Sequence, residues 1–310
     1  MKELGLLVPI ATPLTKSGEI DEKGLTSLCH YVVDAGCHGI FACGSTGRGP
    51  WLGRNARAEV CAIVAGAVKS SIPVFAGCMA SGLSDMVENA HLMAEAGAQF
   101  AVVTAPGYFH YNQSEVERIL LRFADVSPLP VVIYDIPPFA GMKLDTEMVR
   151  RVAHHPRVVG FKDSTADLER FLQLLESMNN RDDFYMLQGK ENLLGESLLA
   201  GASGFVVSLV QIDPHPFVAL YSAARAGKKD SVEAAQKVVT EMLDLLTVSV
   251  ARRPETSTFF HFLNQALRAH AVCDNILLEH EGECPTWLAE NARKAMAVAE
   301  SGSAEARTHP

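Results

Sequence analysis

Two stretches, Val131-Val132-Ile133-Tyr134-Asp135-Ile136-Pro137-Pro138 and Val158-Val159-Gly160-Phe161-Lys162-Asp163-Ser164-Thr165, enclose a helical pattern from about Thr146 to Ala153. Each stretch opens as a short β-branched apolar run and closes on polar residues. Apolar runs without alternation mark strands buried on both faces, as in parallel sheets covered by helices. The unit therefore reads as strand, helix, parallel strand. The same rhythm extends in both directions. Leu6–Ala11, Gly39–Cys43, Pro73–Gly77 and Phe100–Thr104 read as strands before it, and Phe184–Gln188 and Gly204–Ser208 after it. Helical patterns fill the gaps: around Leu25, Leu28, Val32 and Val33, then Arg54–Val68, Ser84–Glu95, Ser114–Ala124, Leu168–Met178, Glu191–Ala200 and Phe217–Ala226.

Eight such strand–helix units predict an α/β fold, a closed (β/α)8 TIM barrel over residues 1–227. Strand signals stop at Gly227. Val232–Val248, Phe259–Ala271 and Trp287–Ala299 then predict a C-terminal helical extension over 228–301, and residues 302–310 form a polar tail expected to be disordered. The length of 310 residues suits one barrel of about 250 residues with such an extension.

Composition narrows the function classes. With 48% hydrophobic and 20% charged residues the chain has a globular balance. A net charge of −9 argues against nucleic acid or an anionic membrane as partner. No apolar run approaches the roughly 20 residues of a membrane span, and the first residues lack a signal-peptide cleavage pattern. The seven cysteines form no CxxC pair and mostly lie in apolar stretches, so they read as reduced core thiols. A cytoplasmic protein is the expectation.

In such barrels chemistry sits at the C-terminal strand ends. Strand six ends on Lys162, where burial would lower the amine's pKa and favour the neutral nucleophile that attacks a ketone. A surface lysine paired with a loop carboxylate is the alternative. Strand five ends on Tyr134, which alternation lets face inward beside Lys162 as a proton shuttle, or as a buried structural phenol. Strand two ends in Gly44-Ser45-Thr46-Gly47, whose small residues let backbone N–H groups approach an anion. It lacks the Gly-Lys-Ser/Thr ending of a phosphate-binding loop, and an ordinary βα loop is the other reading. After strand four, Tyr108-Phe109-His110-Tyr111 suits a lid or a subunit contact. No metal is expected: His154-His155 fall at a helix end on the opposite rim, and His215 is a loop residue without an assigned role. Paired glycosidase carboxylates are missing too, Glu191 being the one inviting acid.

Taken together these strand ends resemble the dihydrodipicolinate synthase/N-acetylneuraminate lyase family of class I, Schiff-base, pyruvate-dependent aldolases. The likeness runs from Val8-Pro9-Ile10-Ala11-Thr12-Pro13-Leu14 to Gly201–Ser208. It rests on Gly44–Gly47, Tyr134–Pro137 and Gly160–Thr165 lying in register on one barrel. The resemblance implies a lyase in which Lys162 condenses with a 2-oxo acid, with Tyr134 as proton shuttle. Ser45, Thr46 and Gly47 would hold the carboxylate, Thr46 also joining the catalytic set, and Val206 would line the site. Tyr108 matches a tyrosine that completes a proton relay across a subunit interface, in a homotetramer built as a dimer of dimers. The covalent imine needs no metal or organic cofactor, and the partner is a small 2-oxo acid.

Two positions depart from the pattern. Dihydrodipicolinate synthases carry an arginine for the second substrate's carboxylate where this chain has Phe139, and nothing replaces its bidentate geometry. The stretch 136–144 is more similar to sialic-acid lyases and 2-keto-3-deoxy sugar acid aldolases. Arg48 stands where the family usually has glutamate, placing a positive charge beside the site. Gly189, Lys190, Glu191, Phe139 and Ser208 are the candidates for the distal part of the substrate, the bland reading of Lys190 and Glu191 being a solvated ion pair. The expectation is cleavage or formation of a C–C bond in a 2-keto-3-deoxy sugar acid or sialic-acid-like substrate. Its alternatives are condensation of pyruvate with aspartate semialdehyde, dehydration of a 2-keto-3-deoxy acid, and a non-enzymatic 2-oxo acid sensor.

Overall fold

The computed structural model describes residues 4–308. Its elements alternate as β1 (Gly5–Pro9), α1 (Glu22–Asp34), β2 (Gly39–Ala42), α2 (Arg54–Val68), β3 (Val74–Gly77), α3 (Leu83–Glu95), β4 (Phe100–Val103) and α4 (Gln113–Val126). They continue as β5 (Val131–Asp135), the one-turn α5 (Pro137–Ala140), α6 (Thr146–Ala153), β6 (Val158–Asp163), α7 (Leu168–Ser177), β7 (Tyr185–Gln188), α8 (Leu194–Leu199), β8 (Gly204–Val206) and α9 (His215–Arg225). All strands are parallel and β8 closes onto β1, so the sheet is an eight-stranded barrel. Local chemistry starts several helices. Asp21 accepts from the Gly24 N–H, and Asn112 with Glu115 makes a reciprocal capping box.

Alternation along the strands sorts the apolar residues into two cores. Leu7, Phe41, Phe75, Val102, Val132, Tyr134, Tyr185, Leu187 and Val206 fill the barrel interior. Their strand neighbours, among them Ile40, Ala76, Val103, Ile133, Phe161 and Phe205, pack outward under the helices. In β6 the pairing with β5 slips: Val131 opposes Val158, but Val132 opposes Gly160. This bulge shifts the phase of β6 by one residue, so that Phe161 faces the helices and Lys162 the interior.

β8 ends at Val206, and Ser208 lies in a 3-10 turn, Ser208–Gln211, where the sequence suggested continued strand. The cause is Gln211, whose buried amide accepts from the Ala11 N–H at 2.7 Å and donates to the Pro9 carbonyl at 3.0 Å. A side chain thus completes the hydrogen bonding at the end of β1. Glu191 likewise opens a 3-10 turn, Glu191–Leu193, ahead of α8.

Beyond the barrel, α10 (Lys229–Arg252), α11 (Thr256–Ala269) and α12 (Thr286–Thr308) form the extension, with α10 packed on α9 and α12. α12 takes in residues 302–308, which the sequence reading assigned to the tail, and residues 309 and 310 lie outside the described range. Among the described residues no helix is long and apolar enough to cross a membrane. All seven cysteines are free thiols, six buried and Cys284 partly so.

Candidate active site

Tyr134 and Lys162 are directly opposite in the β5–β6 register, at the C-terminal ends of their strands. Both are almost fully buried. The Lys162 Nζ lies 3.9 Å from the centroid of the Tyr134 ring and 5.2 Å from that of Phe41. Burial lowers the amine from its ordinary value of 10.5 to about 7, against a smaller opposing pull from the Glu191 carboxylate. Desolvation disfavours the ammonium, and a free amine at neutral pH is a nucleophile. A surface lysine paired to a loop carboxylate is therefore ruled out for this position.

The Tyr134 hydroxyl is within hydrogen-bonding reach of the Ser164 and Ser45 hydroxyls, while burial pushes its pKa upward. It stays a phenol able to donate and accept, linking the lysine to the turn after β2. In that turn Thr46 is buried and Ser45 half-buried. Thr12 donates to the Gly47 carbonyl at 2.7 Å, tying the turn to the segment after β1, and a β-carbon on Gly47 would sit 2.7 Å from the Ile10 carbonyl oxygen. Close packing of backbone on backbone is what requires glycine there.

On the other side Glu191 is half-buried, and burial raises its carboxyl above the usual range against smaller opposing effects of backbone hydrogen bonds and the charges of Lys190 and Lys162. The Ser208 hydroxyl donates to its Oε1 at 3.4 Å. From α10, Gln236 holds this turn by donating to the Glu191 carbonyl at 2.9 Å and accepting from Gly195 N–H at 2.8 Å. Val206 lines the barrel interior with Tyr134, and Gly189 and Lys190 are half-buried at the rim.

Two predicted residues stand apart within this chain. Tyr108 is 87% exposed, its ring edge-on to Phe109, and Phe139 is 68% exposed on α5. Arg48 requires a correction. Its charge does not lie free beside the site but is spent in a buried pair with Glu281 at 2.6 Å.

Sequence reasoning missed what lies behind the pair. Asp135 and Asp163, each one residue past an inward side chain, point out of the barrel toward α7. Arg170 joins them, with Nη1 on Asp163 Oδ2 at 2.5 Å and Nη2 on Asp135 Oδ2 at 2.8 Å. It also donates to the Leu144 carbonyl at 2.7 Å. Asp163 accepts from Thr165 N–H and Oγ1, and the Gly189 N–H donates to its carbonyl at 2.7 Å. One guanidinium thus fastens the ends of the two strands that carry Tyr134 and Lys162. The signal was available, since Asp167 and Arg170 fall at the start of a predicted helix, but it has meaning only once β5 and β6 are paired. Ser164 belongs to the motif that closes strand six, but only the pairing of β5 with β6 brings its hydroxyl to the Tyr134 phenol. Among the described residues no group of three or more His, Cys, Asp or Glu side chains is placed to hold a metal ion.

The amine should govern the pH profile. The free-base fraction rises with pH through about 7 and is nearly complete one to two units higher. The rate of imine formation with pyruvate, followed in rapid-quench borohydride experiments, should therefore climb below pH 7 and level off by about pH 8. A rate still rising tenfold per unit beyond pH 9 would mean an ordinary, solvated lysine.

A closed parallel barrel with a buried, near-neutral lysine and a phenol at adjacent strand ends is the architecture of an imine-forming aldolase. The dihydrodipicolinate synthetase family profile matches residues 2–257, and the chain belongs to that family. It is a carbon–carbon lyase of the Schiff-base-forming aldolase class. A 4-hydroxy-tetrahydrodipicolinate synthase of Stenotrophomonas maltophilia is 31% identical over 232 residues, covering 74% of this chain and 76% of the relative. One from Methanoculleus marisnigri is 28% identical over 225 residues, covering 72% and 77%. The solved dihydrodipicolinate synthase of Bacteroides thetaiotaomicron superposes with a TM-score of 0.87 at 26% identity, covering 96% of this chain and 99% of that one.

Proposed function

We propose that this enzyme cleaves, or in reverse forms, the C3–C4 bond of a 2-keto-3-deoxy sugar acid or a sialic-acid-like 2-oxo acid through an imine on Lys162. The observation that carries the reading is the buried Lys162 amine, near neutral and packed on Tyr134, at facing strand ends. Nζ attacks the C2 ketone, and loss of water gives the iminium. Deprotonation of the C4 hydroxyl then breaks C3–C4, the electron pair passing into the enamine and the aldehyde departing. Protonation at C3 and addition of water at C2 release pyruvate and the free amine. Tyr134, connected to Ser45 and Ser164, moves the protons. The iminium is itself the electron sink, so the reaction runs without a metal or organic cofactor.

The carboxylate sits on the Gly44–Gly47 turn, where Ser45 and Thr46 supply hydroxyls and backbone N–H groups. The distal end meets Gly189, Lys190, Glu191 and Ser208. A carboxylate and a hydroxyl, already in hydrogen-bonding contact, suit a polyhydroxylated tail, because each can accept from substrate hydroxyls. Tyr108 reaches a site only across an interface, in keeping with a homotetramer built as a dimer of dimers.

The second reading, condensation of pyruvate with aspartate semialdehyde, is favoured by the names of the relatives. Phe139 opposes it, since an exposed phenyl ring offers no charge to that substrate's carboxylate. Dehydration of a 2-keto-3-deoxy acid through the same enamine is the third. A panel of 2-keto-3-deoxy acids and sialic acid, assayed separately for released pyruvate and for dehydrated product, distinguishes all three. We expect pyruvate from at least one sugar acid, with kcat/KM at least about a hundredfold above that for aspartate semialdehyde with pyruvate. The reverse order would overturn the assignment.

A further inference from the structure

The turn after β2 begins and ends in left-handed backbone, and neither residue there is glycine: φ is 54° at Cys43 and 56° at Arg48. In that region a β-carbon crowds the following carbonyl oxygen. The backbone therefore gains nothing from arginine at position 48, and what this residue contributes must come through its side chain. Its main chain closes the turn: the Arg48 N–H donates to the Ser45 carbonyl at 3.1 Å, and the next N–H, of Gly49, donates to the Gly44 carbonyl at 2.9 Å.

The side chain runs away from the barrel mouth into the C-terminal extension. Nη2 donates to Glu281 Oε2 at 2.6 Å and to the Ile276 carbonyl at 3.2 Å. The guanidinium lies 3.4 Å from the centroid of the Phe260 ring and 5.0 Å from that of Trp51. Both partners of the ion pair are almost wholly withdrawn from solvent. Glu281 is fixed in turn, its Oε2 accepting from the Leu278 N–H at 2.8 Å and its carbonyl bonded to His261 Nε2 at 3.1 Å. Asn264 on α11 accepts from the Ile276 N–H at 2.9 Å. Phe260, Ile276 and Glu281 all lie beyond residue 257, where the family match ends.

We infer that the Arg48–Glu281 pair is a positioning lock through which the C-terminal segment holds the Gly44–Gly47 turn in its carboxylate-binding shape. Affinity for the 2-oxo acid thereby depends on residues that touch neither substrate nor Lys162. This rests on the reading of that turn as the carboxylate site. Severing the pair leaves one buried charge unanswered, and the strained turn relaxes. Deleting both charges removes that penalty but not the loss of the tie.

The test is a double-mutant cycle with Arg48→Met, Glu281→Gln and the pair together, using pyruvate and borohydride. The pyruvate concentration that half-saturates trapping on Lys162 should rise about tenfold or more in each single variant. The double variant should be no worse than the poorer single one. The trapping rate at saturating pyruvate and its pH midpoint should stay within about threefold and half a unit of the parent. A merely structural role would lower the trappable fraction without moving the half-saturating concentration, and that result overturns the lock, as does multiplication of the two single effects. Should either single variant fail to fold, Glu281→Asp, which keeps the charge but shortens its reach, is measured against the same criteria. Ser45→Ala and Thr46→Val serve as the control on the underlying reading. If they leave half-saturation unchanged, the carboxylate assignment falls and the lock with it. If they raise it while the Arg48 and Glu281 variants do not, the lock alone is refuted.

Discussion

Replacing Lys162 with arginine should lower turnover of the sugar-acid substrate by at least about four orders of magnitude, with the fold intact. Arginine keeps the charge and roughly the length, so a purely electrostatic role would largely survive. It cannot supply a neutral amine, because the guanidinium stays protonated under all working conditions. The native site does the opposite, since burial against Tyr134 and Phe41 brings the amine down to about 7. Lys190 offers the contrast. It lies half-buried on the rim next to Glu191, and Lys190→Arg should keep the chemical step while altering KM for the polyhydroxylated substrate only modestly. Steady-state kinetics on purified variants of matched circular dichroism would check both. Residual activity of Lys162→Arg above about one hundredth of the parent would mean that another group forms the imine.

Arg170→Met should carry the largest stability loss of any single change near the site, about 3–5 kcal/mol near pH 8, seen as a fall in Tm of at least about 6 °C. Methionine fills a similar volume but leaves Asp135 and Asp163 buried and facing each other without their shared cation. Asp135 already feels this. Burial pushes its carboxyl up to about 6 even with Arg170 in contact, and without Arg170 it moves higher still. The folded state then holds a proton that the unfolded chain, with a carboxyl near its ordinary 3.8, has lost. Stability of the variant therefore falls as pH rises above about 4, and part of the loss should be recovered at pH 5. Arg54, whose pairing with Asp85 is solvent-exposed, should tolerate the same substitution with little change in Tm. Equal melting losses at pH 5 and pH 8 for Arg170→Met would contradict the buried-carboxylate account.

The barrel was legible in the sequence because its strands are buried on both faces and its helices on one, so two hydrophobic periods alternate along the chain. Lys162 and Tyr134 were legible because each is a polar residue closing an apolar run. Strict alternation from Val158 would have turned Lys162 toward the helices. The bulge at Val159–Gly160 corrects the phase, and no local sequence signal announces it. The Arg170 cluster and the Arg48–Glu281 pair were hidden for a different reason. Each joins residues that are distant along the chain, 35 positions for Asp135 and Arg170 and 233 for Arg48 and Glu281. Charge patterning reads only neighbours on one helix or strand. Arg48 illustrates the consequence: seen as a sequence departure it was a stray positive charge at the site, whereas its partner lies in the extension.

Imine formation on Lys162 can be read out by trapping with pyruvate and borohydride, followed by intact mass and peptide mapping. We expect a single reduced pyruvyl adduct per chain, on Lys162, with Lys162→Arg unmodified. No adduct, or one carried by Lys190 or any other lysine, would contradict it.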